Sequence, residues 1–132
     1  MIDRKQLMVG NLVMYDGPIK LLKDTIVVVE DIGDDGINIQ WLHEMTGWEY
    51  DYEHLFPIEL TPEWLNKFNF KTPDNYQQTV LYFEGVMIDI HMGKYKLRDY
   101  PRTPLNYVHQ LQNLYYALTG EELTIKSFNQ SN

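Results

Sequence analysis

Four histidines and nineteen acidic residues are the groups on which acid–base or metal chemistry in this 132-residue chain would draw. The histidines are His43, His54, His91 and His109, and no pair has the H-E-x-x-H spacing of a helical zinc site. His43 and Glu44 are adjacent, so on a strand they point to opposite faces and disfavour a shared ion. Asp89 and His91 are two apart and share a strand face, but two ligands are too few for zinc without help from elsewhere. Cysteine is absent, which excludes a disulfide framework, thiolate metal sites and cysteine nucleophiles together. The only serines are Ser127 and Ser131. No phosphate-cradling G-x-x-x-x-G-K-[ST], dinucleotide G-x-G-x-x-G or G-x-S-x-G elbow occurs.

The carboxylates form the one constellation with shape. Glu49, Asp51 and Glu53 alternate with Trp48, Tyr50 and Tyr52, so the acids project from one strand face and the rings from the other. Asp34 and Asp35 sit in a turn. Such carboxylates could bind Ca²⁺ or do acid–base work across a cleft, but the simpler reading is a solvated outer face. Ten tyrosines and three tryptophans are many for this length, and aromatic side chains serve interfaces well. Tyr116 and His109 fall on the polar side of a helix. Tyr116 could anchor a partner but more simply lies flat under Phe128, and His109 is expected as a surface residue or a local hydrogen-bond partner. The candidate interaction residues are Tyr116, His109, Glu49, Asp51 and Glu53.

Those side chains need elements to hold them. Tyr107–Leu123 reads as one amphipathic helix: Tyr107, Val108, Leu111, Leu114, Tyr115 and Leu118 fall within roughly 120° at ~100° per residue. Gly120 follows Thr119, where a left-handed cap residue ends a helix. Thr61-Pro62-Glu63 has the cap, first-turn proline and first-turn acid of another helix start, running to about Phe68. Before it come short strands: Leu12–Tyr15, Thr25–Ile32, Ile37–Leu42 and Trp48–Glu53. Their turn signals include Asp16-Gly17-Pro18 and Gly33–Gly36. His54–Pro57 reads as a single helical turn before a short strand Ile58–Leu60. Later, Gln78–Phe83 and Val86–Met92 flank Glu84-Gly85 as a hairpin. Lys94–Tyr100 follows as a third strand, stopped by Pro101 and Pro104.

The expected fold class is α+β. About residues 8–60 form a small antiparallel SH3-like barrel, or an open meander, because short consecutive strands must bury one face and blunt their edges. Residues 61–125 form a short helix, an antiparallel hairpin or three strands, and the C-terminal helix. Residues 126–132 are expected to be a flexible tail.

Net charge is −8, a field that repels phosphate backbones and makes direct nucleic-acid binding an unfavoured expectation. The best basic patch, Lys94, Lys96, Arg98 and Arg102, reads as a solvated strand and loop. No apolar run approaches a membrane span and the start lacks a signal-peptide pattern, so a cytoplasmic protein without membrane contact is expected.

Three segments together carry a resemblance: Val9–Tyr15 (VGNLVMY), Pro57–Phe70 (PIELTPEWLNKFNF) and Tyr107–Leu123 (YVHQLQNLYYALTGEEL). The chain resembles a family of short uncharacterised proteins from Bacteroidetes genomes, prophages and conjugative elements, with Pro18–Asp24 lengthening the usual first turn. The resemblance implies a mobile-element accessory protein and carries no catalytic residue with it. Taken together, these observations point to a non-enzymatic protein-interaction module that needs no cofactor or metal and meets a protein partner or a second copy of itself. Two alternatives are an acidic nucleic-acid mimic that blocks a host nuclease or DNA-binding protein, and a small enzyme built on Asp89 and His91.

Overall fold

The computed structural model describes residues 4–16, 25–32, 37–41, 47–50, 54–72, 80–98 and 100–125. The order is a 3₁₀ turn Arg4–Gln6, then β1 (Leu12–Tyr15), β2 (Thr25–Ile32), β3 (Ile37–Trp41), β4 (Gly47–Tyr50) and β5 (Leu55–Phe56). Next come α1 (Pro62–Lys67), β6 (Val80–Phe83), β7 (Val86–His91), β8 (Lys94–Leu97), β9 (Tyr100–Pro104) and α2 (Val108–Thr119). The protein is α+β: two antiparallel sheets and a C-terminal helix. The first sheet has the order β4-β3-β2-β1-β5 and the second β6-β7-β8-β9. Among the described residues β4 and β5 remain the two edges of an open sheet, not a closed barrel.

The β-branched run Ile26–Val29 is explained by burial on both faces of the first sheet. On one face Leu12 enters the main core, with Met14, Ile26 and Val28 packed against it. On the other, Val13, Tyr15, Val27, Val29 and Leu55 are buried outside that cluster. A register shift between Val29 and Asp31 inserts an extra residue, a bulge that bends β2. The second sheet buries mainly one face, through Val86, Ile88 and Leu97, while Val80, opposite Asp89, is buried on the other side outside the main core. The main core joins Leu12, Ile58 and Leu60 to Trp64, Leu65 and Phe68 of the α1 region and to Val108, Leu111 and Tyr115 of α2.

Helix α1 starts as its residues dictate: Thr61 is the N-cap, its hydroxyl accepts from the Trp64 N–H at 3.4 Å, and Pro62 is the first helical residue. Helix α2 ends at Thr119, with Gly120 left-handed at φ 76° and its N–H donating to Tyr116 O at 2.8 Å. Both hairpin turns of the second sheet, Glu84-Gly85 and Met92-Gly93, have positive φ at both positions, the type I′ geometry that matches strand twist.

Three local expectations are corrected. Leu55 and Phe56 form β5, pairing Tyr15 with Leu55 and Met14 with Phe56, where a helical turn was expected; the free edge of β1 captures them. Pro101 and Pro104 do not stop a strand but lie in β9, because β9 is a sheet edge and a proline there breaks no inner ladder. Ile58–Leu60 makes only a single bridge, Glu59 opposite Tyr107, which stitches the first part to the start of α2. The Gly33–Gly36 turn, the Pro18–Asp24 insertion and the 126–132 tail lie outside the described residues.

Candidate interaction surface

Helix α2 is rolled away from its own apolar arc. The buried residues are Val108, His109, Leu111, Gln112 and Tyr115, an arc centred roughly 80° from the apolar one at ~100° per residue. Leu111 is fully buried and Leu114 half-buried, while Leu118 is exposed. The cause is a second contact along the helix. One flank packs on the second sheet, where Phe83 stacks on Tyr115 with centroids 5.8 Å apart. The other flank is covered by residues 6–12.

That second contact is built from amides. Gln112 Oε1 accepts from the Leu12 N–H at 2.8 Å, and its Nε2 donates to Gly10 O at 3.1 Å and to Leu123 O at 3.3 Å. Asn113 Oδ1 accepts from Asn11 Nδ2 at 2.8 Å, and Asn113 Nδ2 donates to the Gln6 carbonyl. Asn11 Oδ1 accepts from the Met8 N–H at 2.7 Å. Asn11 and Gln112 are buried, so bonds of this kind are what make their burial tolerable. Gly10 closes the loop: it is left-handed at φ 94°, and a β-carbon there would lie 3.3 Å from Glu122 Oε1.

The seam fixes an apolar loop in water. Val9 is 53% exposed and Met8 is also exposed, and both line a shallow dimple of about 20 Å³ with Tyr116, itself 44% exposed. Glu122 borders this dimple. The dimple has room for about one water-sized group, so Met8, Val9 and Tyr116 offer a small, nearly flat apolar contact held in place beside the Glu122 carboxylate.

Of the five candidate interaction residues, Tyr116 lines this dimple. His109 is corrected: it is 1% exposed, with Nε2 3.3 Å from Gln6 Oε1 and its ring stacked on Tyr107 at 5.9 Å. Its place on the polar arc suggested surface, but that arc is the one the N-terminal segment covers. Glu49 lies in β4 opposite Asn38, so its backbone is placed while its side chain is outside the described set. Asp51 and Glu53 lie outside the described residues. Met8 and Val9 were missed. Their only sequence signal is an apolar pair just before Gly10, outside any periodic segment.

Two other features carry polar chemistry. A cleft of about 450 Å³ lies between Pro57–Leu60, Gly93–Tyr95 and Leu105–Tyr107. Burial, followed by Glu63 and Glu59, raises the Tyr95 hydroxyl above its ordinary value and keeps it a neutral donor. With Glu59 alongside, this cleft can hydrogen-bond a polar group. Asp89, one half of the Asp89/His91 pair, is engaged by Arg98 at 2.8 and 3.3 Å, and His91 faces Lys94 across the ladder. Among the described residues no three metal-ligating side chains converge, and no helix is long and apolar enough to cross a membrane.

Comparison of the chain with protein-family models, curated proteins and solved structures returns no match.

Proposed function

We propose that the protein is a non-enzymatic protein-interaction module, an accessory protein of a bacterial mobile element working in the cytoplasm. The observation that carries the reading is the apolar loop Met8–Val9 held beside Tyr116 by buried amide bonds. A loop with no outside partner would gain nothing from two exposed apolar side chains locked in place. The partner is a protein that offers an apolar side chain within a basic rim, complementary to Glu122. Strand order supports an SH3-like reading of the first sheet: five short antiparallel strands, the first lying between the second and the last.

The test uses the full chain as bait in extract of its native host, beside Val9→Asp and Tyr116→Asp variants. A protein retained by the parent and released by both variants, at unchanged melting temperature, supports the reading. Equal recovery by all three baits overturns it.

A second reading, the acidic nucleic-acid mimic, draws on charge placement. Residues 1–60 hold twelve acidic and four basic residues, whereas residues 61–132 hold seven of each, so the whole net charge belongs to the first part. It requires competition with duplex DNA for a host DNA-binding protein, and a chain that displaces no DNA removes it.

A further inference from the structure

Among the described residues the second sheet leaves much of one face uncovered, Val80 opposite Asp89 being the buried exception, and that face departs from the rest of this acidic chain. In β7 and β8 the pairs Asp89/Lys96 and His91/Lys94 project to one side. The Arg98 N–H donates to Met87 O at 3.0 Å, which continues the ladder and adds Met87/Arg98 to the same side. Val86, Ile88 and Leu97 take the buried side. Tyr82 lies opposite Met87, and Lys71 opposite Tyr82. A row Lys71–Tyr82–Met87–Arg98 therefore crosses the open face, with Lys96 and Lys94 in the rows beyond.

Lys71, Lys94 and Lys96 are exposed, and among the described residues no carboxylate pairs with them. Asp89 is the one acid on these rows and is held by Arg98. Residues 61–132 balance at seven acids and seven bases, so the cations on this face are segregated rather than in excess. Tyr82 is 43% exposed among them.

Met92 at the β7–β8 tip is a separate observation. It is 88% exposed and left-handed at φ 53°. The first centre of a type I′ turn favours Asn, Asp or Gly, and a long unbranched side chain there is strained. An apolar side chain that is both solvated and strained breaks two local rules at once, which marks a position kept for contact.

We infer that this open face binds a single-stranded nucleic acid, with phosphates on Lys94, Lys96 and Lys71, a base stacked on Tyr82 and another against the Met92 thioether. The chemistry follows from the residues: an aromatic π-face accepts any base, and cations beside it follow the backbone. Polarisable sulfur packs well on rings. Five residue steps along the strand separate the Met87 row from Met92, about 17 Å, which makes the contact several nucleotides long. An acidic peptide would satisfy the lysines but would leave Tyr82 and Met92 without a role. The net charge of −8 opposes binding, yet at physiological salt exposed charges are screened beyond about 8 Å. Affinity is therefore modest and falls steeply with salt.

The experiment is fluorescence anisotropy of a labelled oligothymidylate with the full chain, across a salt series, with polyglutamate as competitor. The parent chain binds at low salt. Replacing both Lys94→Gln and Lys96→Gln lowers the slope of log affinity against log salt by about 1.4. Tyr82→Ala weakens binding about fivefold or more. Met92→Asn weakens binding while raising the melting temperature, a combination no folding defect produces. Absence of binding by the parent at low salt overturns the inference, as does binding that none of these variants alters. Polyglutamate held as tightly, with Tyr82→Ala without effect, also overturns it and assigns the face to an acidic protein. Val9→Asp leaves oligonucleotide binding unchanged, so failure here and failure of the apolar dimple are told apart.

Discussion

The two flanks of α2 solve one problem by opposite means. Toward the second sheet the helix offers Leu111 and Tyr115, which bury apolar surface against Phe83 and its neighbours. Toward the N-terminal segment it offers Gln112 and Asn113, whose amides meet the backbone of Gln6, Gly10, Leu12 and Leu123. Apolar packing is tolerant of small shifts. Amide bonds are directional and fail if a group moves by an ångström. The difference teaches which side is held in register: the loop carrying Met8 and Val9 sits on the directional flank.

The largest break in the comparison comes from the apolar flank. Leu111→Ala should lower unfolding free energy by about 3 kcal/mol, read from urea denaturation, because it opens a cavity in the main core. A loss well below 1 kcal/mol would mean that the core closes over the gap and that this flank contributes little.

Gln112→Leu sharpens the contrast. It adds apolar character to a buried site, yet it should destabilise by about 2 kcal/mol, because the Leu12 N–H and the Gly10 and Leu123 carbonyls lose their partner. The same variant should speed amide exchange at Leu12 while leaving β7 and β8 protected. A leucine variant as stable as the parent would show that solvent can replace the amide, and the distinction between flanks would dissolve.

The smallest effect lies at α1. The Glu63 carboxyl is held below its ordinary value, first by a backbone hydrogen bond at its own N–H, then by the Thr61 hydroxyl and by Lys67. A carboxyl lowered on folding adds stability above its unfolded value, and that stability disappears as pH falls through the folded one. The advantage of the parent over Glu63→Gln, seen at neutral pH in urea melts, should therefore fade on acidification. A gap that persists in acid would assign the effect to packing rather than charge.

Much of the fold was legible because it rests on local rules. Thr61-Pro62-Glu63 announced a helix start, and Gly120 announced a helix end. Glu84-Gly85 announced a turn, since each choice answers a backbone demand within four residues. β5 was hidden because Leu55 and Phe56 are recruited by β1, forty residues earlier in the chain, and no local pattern encodes that pairing. The candidate surface was half legible. Tyr116 stands out as a ring on a polar arc. His109 and Gln112 share that arc, but a helical wheel cannot show that a distant segment covers one side of it and leaves the other bare. Met8 and Val9 had no periodic context at all.

The bond between Leu12 and Gln112 spans 100 residues. During synthesis at ~5–20 residues per second, the amide that receives β1 emerges roughly 5–20 s after β1 itself. Through that interval the first strand can pair with β2 and β5, but its outer rim waits unroofed. The first sheet can therefore assemble before the helix that closes its rim has been made.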